Sequence, residues 1–303
     1  MPLDDGPHEP DGLVLALFGP TASGKTAVAE ALADRMEGEV VSADSMQVYR
    51  GLPLLTNQPA RPTRLVGIWS LDHEGSVAEY ARLAHAAIDE LLAAGRTPVV
   101  AGGTGLYLRA ALANLDLPPA PSPGARERLE RHYDELGAKA AHAELAELDP
   151  SAAAAVHPHD RRRVVRALEL AEAGSSLAPA HSRLWTDDVR HPTLVFGLDL
   201  PAAELARRIE ERTRAMFERG VEEEVLRALA GGAVSTTARQ ALGLADVAEL
   251  PREQAIGQLV LRTRRLAAYQ RKWLRRIPGV VSVDAARPPH AIANGILEVA
   301  RAR

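Results

Sequence analysis

A phosphate-binding loop near the start of the chain is the feature that most constrains its fold. Residues 19–26 read Gly-Pro-Thr-Ala-Ser-Gly-Lys-Thr, which matches the GxxxxGK[ST] pattern. The apolar run 13–18 precedes this loop and predicts a strand, and residues 27–36 carry apolar side chains at helical spacing. In a strand, loop and helix of this kind, backbone N–H groups and the helix dipole point at a phosphate. We therefore predict that the chain binds a di- or triphosphate group.

All eight residues of this phosphate loop are candidate contacts for a diphosphate or nucleotide: Gly19, Pro20, Thr21, Ala22, Ser23, Gly24, Lys25 and Thr26. Lys25 provides a positive charge for the terminal phosphates, and Thr26 provides a hydroxyl for Mg²⁺. Lysine is rare in this chain and arginine supplies most cations, so the lysine at position 25 stands out.

Composition limits the class of protein. A chain of 303 residues with 46% hydrophobic content has enough apolar material for one large domain or two modest ones. The absence of cysteine excludes disulfides and thiolate metal sites. No secretory signal profile and no apolar stretch of about 20 residues is evident, so we expect a cytoplasmic protein, and a monomer. The formal net charge of −4 requires any nucleic-acid surface to be local.

The order of elements predicts an α/β fold, a P-loop parallel-sheet core with a helical insertion domain. Strands at 13–18, 39–43 and 97–101 alternate with helices, and Ser76 to Glu79 form a capping box that begins one of them. Residues 117–123 are rich in proline, which indicates a linker, and residues 124–185 are predicted to be helical.

The second part of the core follows the insertion. We predict a strand at 193–197, long helices over 202–230 and 252–276, and a last strand at 280–283. The expected boundaries are a core of 1–116 and 191–303 and an insertion of 117–190.

Two polar residues follow the second and third predicted strands. Asp44 comes directly after 39–43, and Thr104 lies in Gly102-Gly103-Thr104-Gly105. The ligand crevice of a parallel sheet lies outside the carboxyl ends of its strands, so both side chains are expected near the phosphate loop. A carboxylate there accepts a proton or holds Mg²⁺, and a hydroxyl reaches a phosphate oxygen. The alternatives are a capping or turn aspartate and an ordinary glycine turn.

Two arginine clusters indicate a basic surface. Arg161, Arg162, Arg163 and Arg166 lie in the insertion, and residues 262–276 contain seven cations and no acid, with two aromatic residues interleaved. Such a mixture suits phosphate neutralisation and base stacking on RNA. The alternative is a solvated helix face with its aromatic residues in the core. We favour RNA for the second cluster because it lacks acidic partners at helical spacing.

Two smaller groups also carry charge or metal-binding side chains. Arg208 and Arg212 are four residues apart and either close over an anionic leaving group or pair with neighbouring glutamates. His157 and His159 are separated by a proline and have no evident third ligand, so we reject a metal site there.

Five segments resemble, in order, the tRNA dimethylallyltransferases, also called tRNA isopentenyltransferases. They are 19–26, 43–51, 102–107, residues 149–150 with 157–160, and 166–169. The resemblance extends from about residue 13 to about residue 276, and the combination of these segments is highly specific.

The resemblance implies a prenyl transfer. A dimethylallyl group moves from dimethylallyl diphosphate to the exocyclic amine of the adenine 3′-adjacent to the anticodon of tRNA, and diphosphate leaves with the help of Mg²⁺. By resemblance, Asp44 is the general base, Thr104 lies at the bridging oxygen, Lys25 binds the diphosphate, Thr26 binds Mg²⁺, and Arg212 holds the leaving group.

The resemblance also implies a set of tRNA contacts, with the anticodon stem-loop as partner. These residues are Asp44, Ser45, Met46, Gln47, Thr104, Arg126, Arg162, Arg163, Val164, Val165, Arg166, Arg239 and Gln240. Ser45, Met46 and Gln47 are the ones expected to touch the target adenine.

The chain departs from the family pattern at 55–59, 68–72, 243–246 and 268–270. Each departure removes a cation or a polar contact from segments on the RNA side and leaves the chemical crevice intact. Two other functions remain as alternatives: a P-loop small-molecule kinase using ATP, and a nucleotide-dependent RNA-binding protein without catalysis. The basic aromatic segment disfavours the kinase, and the set of Lys25, Asp44 and Thr104 disfavours a mere binder.

Overall fold

Five parallel strands form one sheet in the order β2-β3-β1-β4-β5. The strands are β1 Val14–Phe18, β2 Glu39–Ser42, β3 Pro98–Gly102, β4 Thr193–Asp199 and β5 Val281–Asp284. The computed structural model describes residues 12–117, 122, 124–177 and 186–302. The predicted α/β class is confirmed, and each predicted strand is present.

The central strand shows why the sheet is buried on both faces. All five residues of β1 are at most 1% exposed, so side chains that alternate between the two faces are covered alike. A continuous apolar run is what a parallel strand between two layers of helices requires. Leu15 and Leu17 join the largest apolar cluster, together with Phe196 of β4 and Leu259.

The strand register brings three carboxyl ends to the same edge of the sheet. Phe18 pairs with Gly102, and Ala101 pairs with Ser42. The segments that follow β1, β2 and β3 therefore begin within about one residue of the same level. This edge carries the phosphate loop, Asp44 and Thr104.

The described residues form twelve α-helices. They are α1 Lys25–Arg35, α2 Val77–Ala93, α3 Gly105–Leu112, α4 Ala125–Leu136, α5 Ala138–Leu148, α6 Pro150–Ala155, α7 Arg161–Glu172, α8 Ala202–Glu218, α9 Val221–Ala230, α10 Leu244–Glu249, α11 Arg252–Leu274 and α12 Pro289–Arg301. Ser76 caps α2 as predicted, because its Oγ accepts a hydrogen bond from the N–H of Glu79 at 3.1 Å.

The chain divides into two compact units, one formed by residues 1–114 and 185–303 and the other by residues 115–184. The first unit contains the sheet. The second contains α4 to α7 around a core of its own that includes Leu129, Tyr133, Leu145 and Leu168. Most of the predicted proline-rich linker, and residues 178–185 of the predicted helical stretch, lie outside the described residues.

The helix prediction after β4 was wrong in one respect. The single helix predicted over 202–230 is two helices, because the chain turns at Gly220, whose φ is +88°. Such a left-handed conformation ends a helix and suits glycine.

Helices α3, α10 and α12 were not predicted; α3 follows directly on a glycine-rich turn, and α10 has only six residues. Across the part of the chain that is described, no helix combines the length and apolarity needed to cross a membrane.

Candidate functional site

A cavity of about 460 Å³ lies where the phosphate loop, the segment after β2, and helices α8 and α11 meet. All of its lining residues belong to the first unit. Its charged and metal-binding side chains include Lys25, Thr26, Asp44, Arg208 and Arg212. The structure thus brings five of the eight predicted loop contacts to one cavity, together with Arg212 and the predicted base.

The phosphate loop ends in a helix N-terminus without a side-chain cap. Gly24 is the N-cap of α1, with φ of +88°, a conformation for which glycine is the natural residue. The backbone N–H groups of the first turn are therefore left for a ligand. Thr21, Ala22, Gly24, Lys25 and Thr26 line the cavity.

The other loop residues support the loop instead. Gly19, Pro20 and Ser23 are not among the lining residues in the described structure. Ser23 is 1% exposed, and the carbonyl oxygen of Pro20 accepts a hydrogen bond from Lys25 Nζ at 2.8 Å.

Two cations give the cavity its electrostatic character. Burial lowers the pKa of Lys25 to about 8, the Asp44 carboxylate counteracts this shift, and the Arg212 guanidinium adds to it. Burial also lowers the pKa of Arg212, and Asp44 again opposes the shift. Within the described residues, Arg212 Nε has no hydrogen-bond partner. Three cations, Lys25, Arg208 and Arg212, and two carboxylates, Glu30 and Asp44, line the cavity. The excess of cations and the desolvation of two of them favour an anionic ligand.

Asp44 lines the cavity and at the same time orders a turn. Its Oδ1 accepts hydrogen bonds from the N–H groups of Met46 at 2.9 Å and Gln47 at 3.4 Å. Met46 and Gln47 line the same cavity. Asp44 therefore has both of the roles considered for it. One of its carboxylate oxygens orders the turn at Met46 and Gln47, and the side chain is also part of the cavity wall.

Thr104 lies beside Ser45 and not in the cavity wall. Its Oγ1 accepts a hydrogen bond from the N–H of Ser45 at 3.3 Å and lies 3.3 Å from Ser45 Oγ. Neither residue is among those that line the cavity in the described structure, whereas the adjacent Asp44 and Gly102 are.

The glycines around Thr104 let other segments of the protein pack closely against this turn. A Cβ at Gly103 would collide with Gln270 Nε2, and a Cβ at Gly105 would collide with the Trp273 ring. A Cβ at Gly102 would collide with the backbone of Ala43. These glycines let α11 and the segment after β2 approach the β3–α3 turn.

An apolar wall completes the cavity and was missed by sequence analysis. It consists of Val40, Met46, Leu55, Met216, Leu242, Leu259 and Leu266. Helical spacing is the sequence signal that could have located this wall, because Arg208, Arg212 and Met216 follow each other at intervals of four residues on one face of α8. Leu259, Thr263, Leu266 and Gln270 form a similar stripe on α11.

The two arginines of α8 that line the cavity differ in their partners. Arg208 Nε donates to Glu204 Oε1 at 2.6 Å, which is the ordinary pair that the sequence left open. Arg212 forms no ion pair with any described residue. Of these two arginines, Arg212 is therefore the one whose charge is not offset by a carboxylate partner among the described residues.

In the second unit, the predicted tRNA contacts divide into paired, buried and exposed side chains. Arg126 Nε and Arg166 Nη1 each lie 2.9 Å from the carboxylate of Glu169, whose side chain is 0% exposed. Val164 and Val165 are 0% and 3% exposed and belong to the core of the unit. Their side chains are therefore not available to RNA, which corrects that part of the prediction. Arg162 and Arg163 are exposed.

The basic run on α11 is less isolated than its sequence suggests. Arg262 lies 3.1 Å from Asp246, Arg264 lies 3.3 Å from Glu210, and Arg271 lies 3.1 Å from Asp199. These acids come from α10, α8 and β4, so the missing i, i+4 partners are replaced by distant ones. Exposed cations that form no ion pair with any described residue are Arg265, Lys272 and Arg275.

The two aromatic residues of this run also differ. Tyr269 is 58% exposed, whereas Trp273 packs against Gly105. Arg239 and Gln240 are exposed in a short 3₁₀ turn, Ala238–Gln240, where Arg239 Nε donates to the carbonyl oxygen of Val234 at 3.1 Å.

The departure from the family pattern at 55–59 lies at the cavity, and the expectation that it leaves the crevice untouched was wrong: Leu55, Thr56, Asn57 and Pro59 line the cavity. Gln58 of this segment donates from its Nε2 to the carbonyl oxygens of Gln47 at 3.1 Å and Tyr49 at 2.7 Å. The side chain thereby fixes the backbone that carries Met46 and Gln47 toward the cavity.

Oxygen donors suitable for Mg²⁺ are present in the cavity. The Thr26 hydroxyl and the Asp44 carboxylate both line it. Within the described ranges, no group of three His, Asp or Glu side chains is placed to hold a metal ion. Magnesium bound with substrate phosphates requires only one or two protein oxygens and keeps several waters, so these residues fit that mode.

Comparison with known proteins identifies relatives along nearly the whole chain. Residues 47–277 match the model of the IPP transferase family, and residues 12–65 match that of isopentenyl transferase. The tRNA dimethylallyltransferase of Anaeromyxobacter dehalogenans is 45% identical over 93% of this chain and 98% of its own length. That of Salinispora tropica is 42% identical over 93% of this chain and 91% of its own.

Solved structures of similar proteins have the same fold as this chain. The tRNA isopentenylpyrophosphate transferase of Bacillus halodurans superimposes with a TM-score of 0.68 and 32% identity, covering 96% of this chain and 97% of its own. A eukaryotic dimethylallyltransferase acting on tRNA has a TM-score of 0.72 at 24% identity, covering 90% of this chain and 74% of its own, and shows the same fold.

Proposed function

Because the chain belongs to the tRNA dimethylallyltransferase family, we propose that it transfers a dimethylallyl group from dimethylallyl diphosphate to tRNA. The acceptor is the exocyclic amine of the adenine 3′-adjacent to the anticodon, and diphosphate is released. Family membership favours this transfer over the kinase and over a binder without catalysis.

One observation carries the proposal: Lys25, Thr26, Asp44 and Arg212 line a single cavity that also has an apolar wall. The cations and the helix N-terminus suit a diphosphate, the apolar wall suits a short hydrocarbon group, and the carboxylate suits an amine that must lose a proton.

The transfer is a substitution at the allylic carbon. The adenine nitrogen forms a bond to that carbon while the carbon–oxygen bond to the diphosphate breaks, and the electron pair of that bond leaves with the diphosphate. Lys25 and Arg212 stabilise the negative charge that develops there. The exocyclic amine is a weak nucleophile, and Asp44 accepts its proton as the new bond forms.

Thr104 takes part through its neighbour. Its hydroxyl contacts Ser45, and we assign to the two residues the positioning of the adenine next to Asp44, together with Met46 and Gln47.

Magnesium is the metal we propose for this site, held by the hydroxyl of Thr26. When bound, it neutralises negative charge on the diphosphate. Lys25 and Arg212 provide the same kind of stabilisation from the protein.

The anticodon stem-loop of tRNA is the proposed macromolecular partner. A loop adenine is unstacked at lower cost than one in a duplex. We assign its phosphate contacts to Arg162 and Arg163 in the second unit, to Arg239 and Gln240, and to the unpaired cations of α11. We also propose that the protein works as a monomer in the cytoplasm, where its tRNA substrate is.

Incubation of the purified protein with unmodified tRNA and labelled dimethylallyl diphosphate tests this function. Label in tRNA, lost when the target adenine is replaced by guanine, is the expected result. No label in tRNA, with turnover of labelled ATP on a small alcohol, would favour the kinase instead.

A further inference from the structure

A buried glutamine on α11 joins two loops of the cavity. Gln270 is 5% exposed. Its Oε1 accepts a hydrogen bond from the N–H of Thr21 in the phosphate loop at 2.7 Å, and its Nε2 donates to the carbonyl oxygen of Gly103 at 2.9 Å. One side chain therefore connects the loop after β1 with the loop after β3.

Gln270 is a polar side chain on a mostly apolar, buried face of α11. Neighbours on the buried stripe of α11 are mostly apolar, among them Leu259, Ala267 and Leu274. A buried amide is costly unless it is hydrogen-bonded, and here both ends of the amide are used. An apolar residue would pack at this position without that cost but would leave the two loops unconnected.

The β3–α3 turn is built to receive this contact. Gly103 lacks the Cβ that would collide with Gln270 Nε2, and Gly105 lacks the one that would collide with Trp273, three residues further along α11. Two glycines thus let two side chains on one face of α11 rest on the turn. Gly103 is followed by Thr104, which contacts Ser45, the residue after Asp44.

We propose that Gln270 is a positioning residue that holds the phosphate loop and the Gly103–Thr104 turn in register, so that the departing diphosphate and the attacking amine face each other. The inference rests on the proposed function and adds to it a role for a residue whose amide is engaged with the backbone. In this arrangement the N–H of Thr21 donates to Gln270 and not to the diphosphate. The diphosphate is then bound by the N–H groups at the start of α1.

Substitution of Gln270 by methionine tests this role. Methionine has a similar length and removes both hydrogen bonds. We expect the dissociation constant of inorganic diphosphate, measured by calorimetry, to rise about tenfold or more, because the loop loses a buried hydrogen bond that fixes it. The KM for dimethylallyl diphosphate should rise and kcat should fall, while the KM for tRNA changes little.

Gln258→Met is the matched control, because Gln258 is an exposed residue of the same helix; it should leave every one of these values unchanged. A second variant, Gly103→Ala, brings a methyl group against Gln270 Nε2 and should weaken diphosphate binding in the same direction. The losses of Gly103→Ala and of a single Gln270→Ala variant should not add in the double variant Gly103→Ala/Gln270→Ala, since the two changes break one contact.

The binding measurement separates this inference from the proposed function. If wild-type protein transfers no dimethylallyl group to tRNA, the proposed function fails while the calorimetric comparison still decides on Gln270. An unchanged diphosphate constant in folded Gln270→Met, with only the melting temperature or the KM for tRNA altered, would overturn the positioning role.

Discussion

Arginine and lysine side chains are used differently in the two units of the molecule. In the first unit, Lys25 and Arg212 line the cavity, and Arg212 Nε has no partner among the described residues. In the second unit, Arg126 and Arg166 both contact the buried carboxylate of Glu169. The first pair of cations is held ready for an anionic ligand, whereas the second pair is already neutralised by its own protein.

This difference shows that arginine content does not by itself mark a binding surface. A cation without a partner in a desolvated site gains strongly from an anionic ligand. A cation paired with a buried carboxylate contributes mainly to the unit's own stability, and breaking such a pair is costly. Unpaired and paired arginines also occur on the same helix. On α8, Arg212 is unpaired among the described residues and Arg208 is paired with a carboxylate, and on α11 the same holds for Arg265 and Arg264.

The largest expected effect is on the base in the cavity. Asp44→Asn keeps an oxygen that accepts the hydrogen bonds of Met46 and Gln47, and it removes the proton acceptor. We expect turnover to fall by roughly 100-fold or more while diphosphate binding is retained, as measured by labelled transfer and calorimetry. Asp284→Asn is the control, because Asp284 is an exposed aspartate of the same unit that also accepts a hydrogen bond from the N–H two residues later. Full activity of Asp44→Asn would remove Asp44 from the role of base.

The next effect contrasts the two arginines of α8 that line the cavity. Arg212→Met should raise the dissociation constant of diphosphate by about tenfold or more, since it removes a charge-assisted contact. Arg208→Met removes a cation that is already paired with Glu204 and should have a smaller effect. Equal effects of the two substitutions, measured by calorimetry, would contradict the distinction between paired and unpaired cations.

The charge of Lys25 predicts a pH dependence. Burial lowers its pKa to about 8, so the ammonium is charged below this pH and loses its proton above it. A bound anion favours the charged form, and affinity for dimethylallyl diphosphate should therefore fall as the pH rises above about 8, by at most about tenfold per pH unit for one linked proton. Lys25→Arg keeps its charge over this range and should flatten the profile. A wild-type profile that stays flat from pH 7 to 9.5 would exclude Lys25 as the titrating group.

Local patterns in the sequence predict the frame of the site well. The apolar strands, the loop 19–26 and Asp44 after β2 follow from strand periodicity and from the rule that crevices lie at carboxyl ends. These features depend on residues close together in the chain, which is why they are readable.

Contacts between distant segments were not predicted. The acids opposite the α11 arginines, Asp199, Glu210 and Asp246, come from other elements, so the lack of acids within the run was misleading. The bonds of Gln270 to Thr21 and Gly103 join segments far apart in sequence, and no local pattern announces them. Burial of Val164 and Val165 likewise depends on the packing of α7 in its own unit.

The smallest expected effect concerns the exposed arginines of the second unit. Arg162→Gln/Arg163→Gln should raise the KM for tRNA a few-fold and reduce the slope of log affinity against log salt by about 0.7 for each lost phosphate contact. Arg126→Gln removes a partner of the buried Glu169 carboxylate and should mainly lower the free energy of unfolding, by about 1–3 kcal/mol. Salt titrations of tRNA binding and urea denaturation measure the two outcomes. A larger change in salt slope for Arg126→Gln than for the double variant would mean that Arg126 leaves Glu169 to bind RNA, and the contrast between paired and unpaired arginines would then not extend to this unit.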